Sequence, residues 1–330
     1  MVNTSMTERT RFSNEHPKEL FDCRDSYSST LESMAAQDDR VCAIVNDSVS
    51  STKLKNFKTQ FPNRFVNVGI AEQNMVGVGA GLANGGMVPY VCGASCFLIA
   101  RAMEQVKVDL GYSKWNVKLC GMSSGMAYGQ LGATHHSIED LAWTRVIPNL
   151  TVVVPADPQE TEQIMRYSLE HSGPMFIRIS RMPVPAVHLS SETFNLGKAA
   201  VLNQGDDVTI ITNGVLVYKA LLAAQALETR GIYARVLNMS SIKPIDSDAI
   251  VNAARTTRGI VTAEEALLAG GLGSAVAEIL ALHHPAPMRM LGVPDVFAPT
   301  GSSEFLLEHF QLTEQGITAA ALELIDKKNP

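Results

Sequence analysis

The chain has 330 residues and a formal net charge of −6, with 46% hydrophobic and 18% charged residues. This composition excludes whole-chain disorder, and the length exceeds the roughly 250–300 residues at which a single core stops growing, so two domains are expected. The acidic balance, with no basic run, excludes a dedicated nucleic-acid binder. Five cysteines without metal-type spacing read as buried thiols of a reducing cytoplasm, and the polar start MVNTSMTERTRFSNEHPKEL reads as no signal peptide.

Residues 1–15 read as a flexible tail, and the first domain is expected over 16–190. Buried strands are expected at Val41–Val45, Arg64–Val68, Val88–Val91, Val117–Gly121, Thr151–Val154 and Phe176–Ser180. Between them come helices over Ala71–Ala83, near Phe97–Gly111, over Ile138–Arg145, and from Asp157 or Pro158. A linker falls near 185–198, marked by prolines and Ser-Ser-Glu. The pattern restarts in a second domain, 191–330, with strands at Val208–Thr212, Ala234–Asn238, Gly259–Ala263 and Arg289–Gly292. Helices are expected over Val215–Arg230, Ser247–Arg255 and Gly273–His283. Strands alternating with helices predict an α/β fold of two doubly wound domains with mostly parallel sheets.

From Gln73 to Ala100 there is no charged residue, long enough on paper for a membrane span. Its glycines, Asn84-Gly-Gly turn and Pro89 divide it into a small-residue helix, a turn and a strand, so it reads as core or interface and not as membrane. Left uncovered, it would expose an apolar patch, which predicts a self-dimer.

Several residues invite a chemical reading. Glu72, in Gly69-Ile-Ala-Glu72-Gln-Asn, is the last charge before that run. It is either a first-turn Glu serving the helix dipole or a desolvated carboxyl with a raised pKa. His135 and His136 share a small-residue loop, where one side chain would face a ligand and the other the scaffold. Arg24, Ser51 and Arg181 sit at apparent element ends. Gly270-Gly-Leu-Gly273 is a tight turn or an anion-binding helix start. No phosphate-loop motif occurs.

Phe65-Val-Asn-Val-Gly-Ile-Ala-Glu72-Gln-Asn resembles the pyrimidine-binding domain of thiamine-diphosphate enzymes of the transketolase group. Gly129-Gln-Leu-Gly-Ala-Thr-His135 resembles the family's G-E-D-G-P-T-H segment, and Ile177-Arg-Ile-Ser-Arg181 its strand ending in a substrate-phosphate arginine. Glu264-Glu265-Ala…Gly270-Gly-Leu-Gly resembles the family's smaller C-terminal α/β domain. The resemblance implies that Glu72 is the carboxyl bonded to the cofactor's pyrimidine and that Phe97 stacks on that ring, with Leu98 or Ile99 sharing the slot and Asp47 nearby. It implies that His135 binds and moves protons at the donor's hydroxyl end. Arg24, Ser51 and Arg181 would grip a terminal phosphate or sulfonate, and Ser123 stands where the family has another phosphate-site histidine.

Two aromatic positions of the slot are Ala100 and Met103, and the acidic pair that reads sugar hydroxyls is Gln130-Leu131. No G-D-G occurs, the only Gly-Asp being Gly205-Asp206. The resemblance therefore implies a partner, an N-terminal transketolase subunit with the G-D-G…N motif, holding Mg2+ and the diphosphate of thiamine diphosphate, with no metal on this chain. The expected enzyme is a cytoplasmic heterotetramer transferring a two-carbon ketol unit between anionic sugars. The alternatives are a deoxyxylulose-phosphate-synthase-like or 2-oxoacid-dehydrogenase-like beta subunit, or a non-catalytic assembly subunit.

Overall fold

A computed structural model describes residues 19–188 and 192–326. The expected tail at residues 1–15 lies outside the described residues. The apolar runs of the first half become β1 (Val41–Val45), β2 (Phe65–Asn67), β3 (Val88–Ala94), β4 (Lys118–Met122), β5 (Thr151–Val153) and β6 (Met175–Ile179). Every residue of β1, β3, β4, β5 and β6 is buried. Strands covered by helices on both faces carry such runs, and all pairings among these six are parallel.

The second half supplies β7 (Ala200–Asn203), β8 (Val208–Thr212), β9 (Ala234–Asn238), β10 (Ser241–Lys243), β11 (Ile260–Leu267) and β12 (Met288–Val293). Five of them form a sheet in the order β12-β11-β8-β9-β7, parallel except for β7 against β9. The remaining strand, β10, crosses over and pairs antiparallel with β5, so the first sheet reads β10-β5-β6-β4-β3-β1-β2. The fold is thus two α/β units with mostly parallel sheets, as the alternation predicts. Unlike β5, which is as short but apolar, β10 reads Ser-Ile-Lys and carries no apolar run, which is why it is invisible in the sequence. One apolar cluster runs from Ile44 and Val91 through Val152 into Leu237, Ile242 and Leu272, so the two units share buried contacts.

The helix Cys23–Gln37 also escapes the pattern. Its serine-rich sequence has a weak apolar stripe, yet Tyr27, Leu31, Met34 and Ala35 recur at helical spacing on its buried face. The stretch near Phe97–Gly111 divides into Ser95–Arg101, Met103–Gln105 and a π-helical segment, Val106–Tyr112. The uncharged run becomes the helix Glu72–Asn84, β3 and the start of Ser95–Arg101. Among the described residues no helix is long and apolar enough to cross a membrane. Nor does the run expose the apolar patch expected of it, because β3 is an inner strand. Large exposed apolar side chains outside the run include Ile70, Val108, Tyr112 and Val146.

Candidate active site

In open parallel sheets, ligands meet the carboxyl ends of the strands. Here the register sets those ends level. Val45 lies beside Asn67 and Cys92, Ala94 beside Met122, and Met122 beside Ile179. Asn46, Glu72, Phe97, His135 and Arg181 all sit on segments leaving these ends and are brought to one rim.

Glu72 opens its helix with only 3% of its surface exposed. Its Oε1 accepts hydrogen bonds from Asn46 Nδ2 at 2.7 Å and Arg101 Nη1 at 2.9 Å. Burial pushes its pKa up, but the Asn46 bond, a backbone N–H and the Arg101 bond and charge together outweigh it. The carboxyl is therefore held below its ordinary value. The expectation of a raised pKa is corrected here: the apolar helix after Glu72 is visible in sequence, but its two partners are 26 and 29 residues away.

The Arg101 guanidinium carbon also lies 3.9 Å from the centre of the Phe97 ring. Arg101 thus covers the carboxylate and the aromatic face together. It is the first charge after the uncharged run, four residues beyond Phe97 on the same helix, and that spacing was the signal for it. Leu98 is fully buried in the core and does not line the slot, a second correction, since neighbours on one helix point in different directions. Asp47 is exposed and exchanges hydrogen bonds with Asn67, while its neighbour Asn46 makes the contact to Glu72.

His135 is half-buried, with its ring edge-on to Phe97 (5.0 Å, 72°) and to Tyr128 (6.0 Å, 80°). Its Nδ1 shares a 2.9 Å hydrogen bond with Thr134 Oγ1. His136 turns inward, with Nε2 3.2 Å from the Gly129 carbonyl oxygen, and burial lowers its pKa. The adjacent histidines thus divide between rim and scaffold.

Arg24 and Ser51 do come together, through a 3.0 Å bond from Arg24 Nη1 to the Ser51 carbonyl. Yet the Arg24 guanidinium is already committed to Asp22, at 2.6 Å from Nη2 and 3.0 Å from Nε. Its charge is compensated, and it is not a free anion grip. Arg181 is exposed, and its guanidinium carbon lies 5.0 Å over the Tyr128 ring. It also borders a cavity of about 650 Å³ with Ala127, Tyr218 and Ser303. Ser123 is buried, with its Oγ unpaired, so a ligand on the rim does not reach it.

A buried polar hub anchors the His135 loop. Arg178 Nε donates to both Asp140 oxygens at 2.9 and 3.0 Å, and Asp140 Oδ2 also accepts from the Ser95 and Ser137 hydroxyls. Arg178 Nη2 reaches the carbonyls of Ser137 and Glu265, which ties the loop to β11. The Glu265 carboxyl accepts from the Met126 N–H at 2.5 Å, and burial pushes its pKa up to about 8 against the pull of Arg178. Gly125 fits here because a Cβ would lie 2.3 Å from that carboxyl. Sequence reasoning missed the hub, although an arginine inside the apolar run Met175–Ile179 was its signal.

Gly270–Gly273 proves to be a turn and an anion-binding helix start together. The N–H groups of Leu272 and Gly273 both donate at 2.7 Å to the chain's own Glu264, whose pKa burial raises to about 7.

A buried carboxylate beside an aromatic face suits a flat, nitrogen-containing ring. Among the described residues no group of three or more His, Cys, Asp or Glu side chains is placed to hold a metal ion.

Comparison with known proteins agrees with this arrangement. Residues 20–186 match the family "Transketolase, pyrimidine binding domain" and residues 197–317 match "Transketolase, C-terminal domain". The chain belongs to the transketolase family, and its two α/β units are these two domains. An apulose-4-phosphate transketolase subunit of Phocaeicola vulgatus is 44% identical over 306 residues, covering 92% of this chain and 98% of its own. The 6-deoxy-6-sulfo-D-fructose transketolase subunit SqwH of a Clostridium species is 40% identical over 306 residues, covering 93% and 95%. A solved split gene transketolase, described as an inactive beta4 tetramer, matches with a TM-score of 0.86 at 41% identity, covering 94% and 100%. The chain is a transketolase-type subunit, similar to the separate subunits of split transketolases.

Proposed function

We propose that this chain is the C-terminal subunit of a two-chain transketolase that moves a two-carbon ketol unit between anionic sugars. The observation that carries the reading is the rim on which Glu72, Phe97, His135 and Arg181 meet. Phe97 and Glu72 would hold the pyrimidine ring of thiamine diphosphate. When bound, the cofactor supplies the nucleophilic carbon that takes up the ketol unit.

Glu72 holds a proton at the pyrimidine nitrogen. Asn46 orients the carboxyl, and a bound ring would have to displace Arg101 from Oε1 and from the Phe97 face. With Nδ1 engaged by Thr134, His135 has Nε2 to bind and move a proton at a sugar hydroxyl. Arg181 offers its planar fork to a terminal phosphate or sulfonate.

The diphosphate and Mg2+ fall to an N-terminal partner subunit with the G-D-G…N motif. Support comes from the relatives, which are subunits matched over 98% and 95% of their lengths. Self-association through the surface around Ile70, Val108, Tyr112 and Val146, plus two partner chains, gives a heterotetramer. Five free, buried cysteines suit a cytoplasmic site of action.

The test is reconstitution. With the N-terminal transketolase subunit of its own organism, thiamine diphosphate and Mg2+, the chain should transfer ketol units from a ketose phosphate to an aldehyde, and neither subunit should do so alone. Release of CO2 from pyruvate in place of ketol transfer would establish the 2-oxoacid reading instead. Cofactor binding with neither reaction would establish an assembly role.

A further inference from the structure

The structure assigns to Tyr128 the part of a specificity-determining residue, reading the acceptor sugar between its reacting end at His135 and its anionic end at Arg181. The inference rests on the transketolase reading above.

Tyr128 is half-buried and sits immediately before the turn Gly129–Leu131. Its ring is the element common to both ends of the rim. The His135 ring stands edge-on at 6.0 Å, and the Arg181 guanidinium carbon lies over it at 5.0 Å. A sugar chain that reaches from His135 to Arg181 runs along this ring.

The backbone that carries the ring is held in place beforehand. The Tyr128 carbonyl accepts from the Leu131 N–H at 2.8 Å. Gly129 packs so tightly on the second unit that a Cβ would lie 2.5 Å from the Gly301 carbonyl oxygen. Ser303 Oγ donates to the Met126 carbonyl at 3.2 Å. A recognition group on such a backbone loses little freedom when a ligand arrives.

The chemistry suits the position. A phenol is neutral and both donates and accepts, so it can read a sugar hydroxyl without repelling a nearby phosphate or sulfonate. Gln130 and Leu131, the residues that follow, are exposed and offer no carboxylate for that task. The ring also holds the Arg181 guanidinium over its face by a cation–π contact, beside the anionic end of the acceptor. The substrate class is a hydroxylated aldehyde ending in phosphate or sulfonate.

The experiment uses the reconstituted two-subunit holoenzyme with two acceptors, glyceraldehyde 3-phosphate and glycolaldehyde. Tyr128→Phe keeps the ring and deletes the hydroxyl. It should raise KM for glyceraldehyde 3-phosphate by about 3- to 10-fold, the worth of one neutral hydrogen bond, with kcat nearly unchanged. Tyr128→Leu also frees Arg181 and should raise that KM further. Glycolaldehyde kinetics and the calorimetric affinity for thiamine diphosphate should stay at wild-type values in both variants. Unchanged KM in both variants, while Arg181→Ala loses the charged acceptor, would overturn the Tyr128 assignment alone. Equal losses with both acceptors would reduce Tyr128 to a structural residue. Wild-type holoenzyme that binds cofactor yet transfers to neither acceptor would overturn the transketolase reading and this inference with it.

Discussion

Arg101 donates from Nη1 to Oε1 of Glu72 at 2.9 Å, joining an exposed cation to a buried carboxylate. The contact adds to the Asn46 hydrogen bond and the backbone N–H in lowering the Glu72 pKa. Without it, burial would have fewer opponents and the carboxyl would titrate higher. The same guanidinium lies on Phe97, so one side chain satisfies both groups proposed to receive a pyrimidine ring.

Arg101→Ala tests this coupling directly. A depressed carboxyl contributes stability above its unfolded pKa of 4.5, and that contribution is lost as pH falls through the lower folded value. The variant should therefore be less stable than wild type at pH 7, with the gap closing in acid. Arg101 is half exposed, so solvent screening limits the difference to about 1 kcal/mol. Urea denaturation at pH 7 and below pH 4 measures it, and a gap that widens in acid would contradict the assigned coupling.

Glu72→Gln keeps the size and shape of the side chain but cannot cycle a proton. Assembly should survive, judged by sedimentation. Turnover in the reconstituted enzyme should fall at least about 100-fold, the low end of a general acid–base contribution. Near-normal turnover at saturating partner and cofactor would rule out the proposed role.

Arg181 and Arg24 should behave differently, although both resemble anion-site residues. Arg181→Ala removes a charge-assisted contact of about 1.5–3 kcal/mol, so kcat/KM for a phosphorylated acceptor should fall roughly 10- to 150-fold while an uncharged aldehyde is spared. Arg24→Ala leaves Asp22 with the longer ion pair to Lys53, at 3.6 Å, and should lower stability, affecting both acceptors alike. Equal losses for both acceptors with Arg181→Ala would end its assignment to the anion.

His188 links the segment between the two units to both of them. Its Nδ1 is 3.1 Å from Asp157 Oδ2, its Nε2 is 3.8 Å from Glu160 Oε1, and Asn238 of β9 lies 3.1 Å from Nε2. Burial lowers its pKa, but the Asp157 bond and the charges of Glu160, Asp157 and Glu192 raise it to about 9. A raised histidine pKa gives stability that is complete below the unfolded value of 6.5 and is lost as pH climbs through about 9. His188→Gln should thus lower the melting temperature most at pH 6 and least near pH 10. A constant difference across that range would show that the charge plays no part.

Most strands of both sheets are legible because a buried parallel strand is a mainly apolar run, as Val41–Val45 is, whereas β7, an antiparallel edge strand, is not read in the sequence. Glu72 is legible as a desolvated carboxyl because a charge at the head of a Gly/Ala/Val helix has few other environments. His135 and His136 are legible as a divided pair because adjacent side chains on a loop point apart. Less legible are Cys23–Gln37, whose buried face is diluted by serines, and β10, whose Ser-Ile-Lys carries no apolar run.

The amino-acid sequence alone determined the two-unit α/β alternation, the placing of candidate groups at strand ends, and the kinship carried by the Glu72 and His135 segments. Only the tertiary structure decided what those groups are. It turned Glu72 from a raised to a lowered pKa, tied Arg24 to Asp22, buried Leu98 and Ser123, and set Tyr128 between His135 and Arg181. The reason is physical. Periodicity and composition report how much of an element is buried, which is a local property. Charge state and availability depend on single atoms about 3 Å away, contributed by residues tens of positions distant, and only the packing of the sheets chooses which atoms those are.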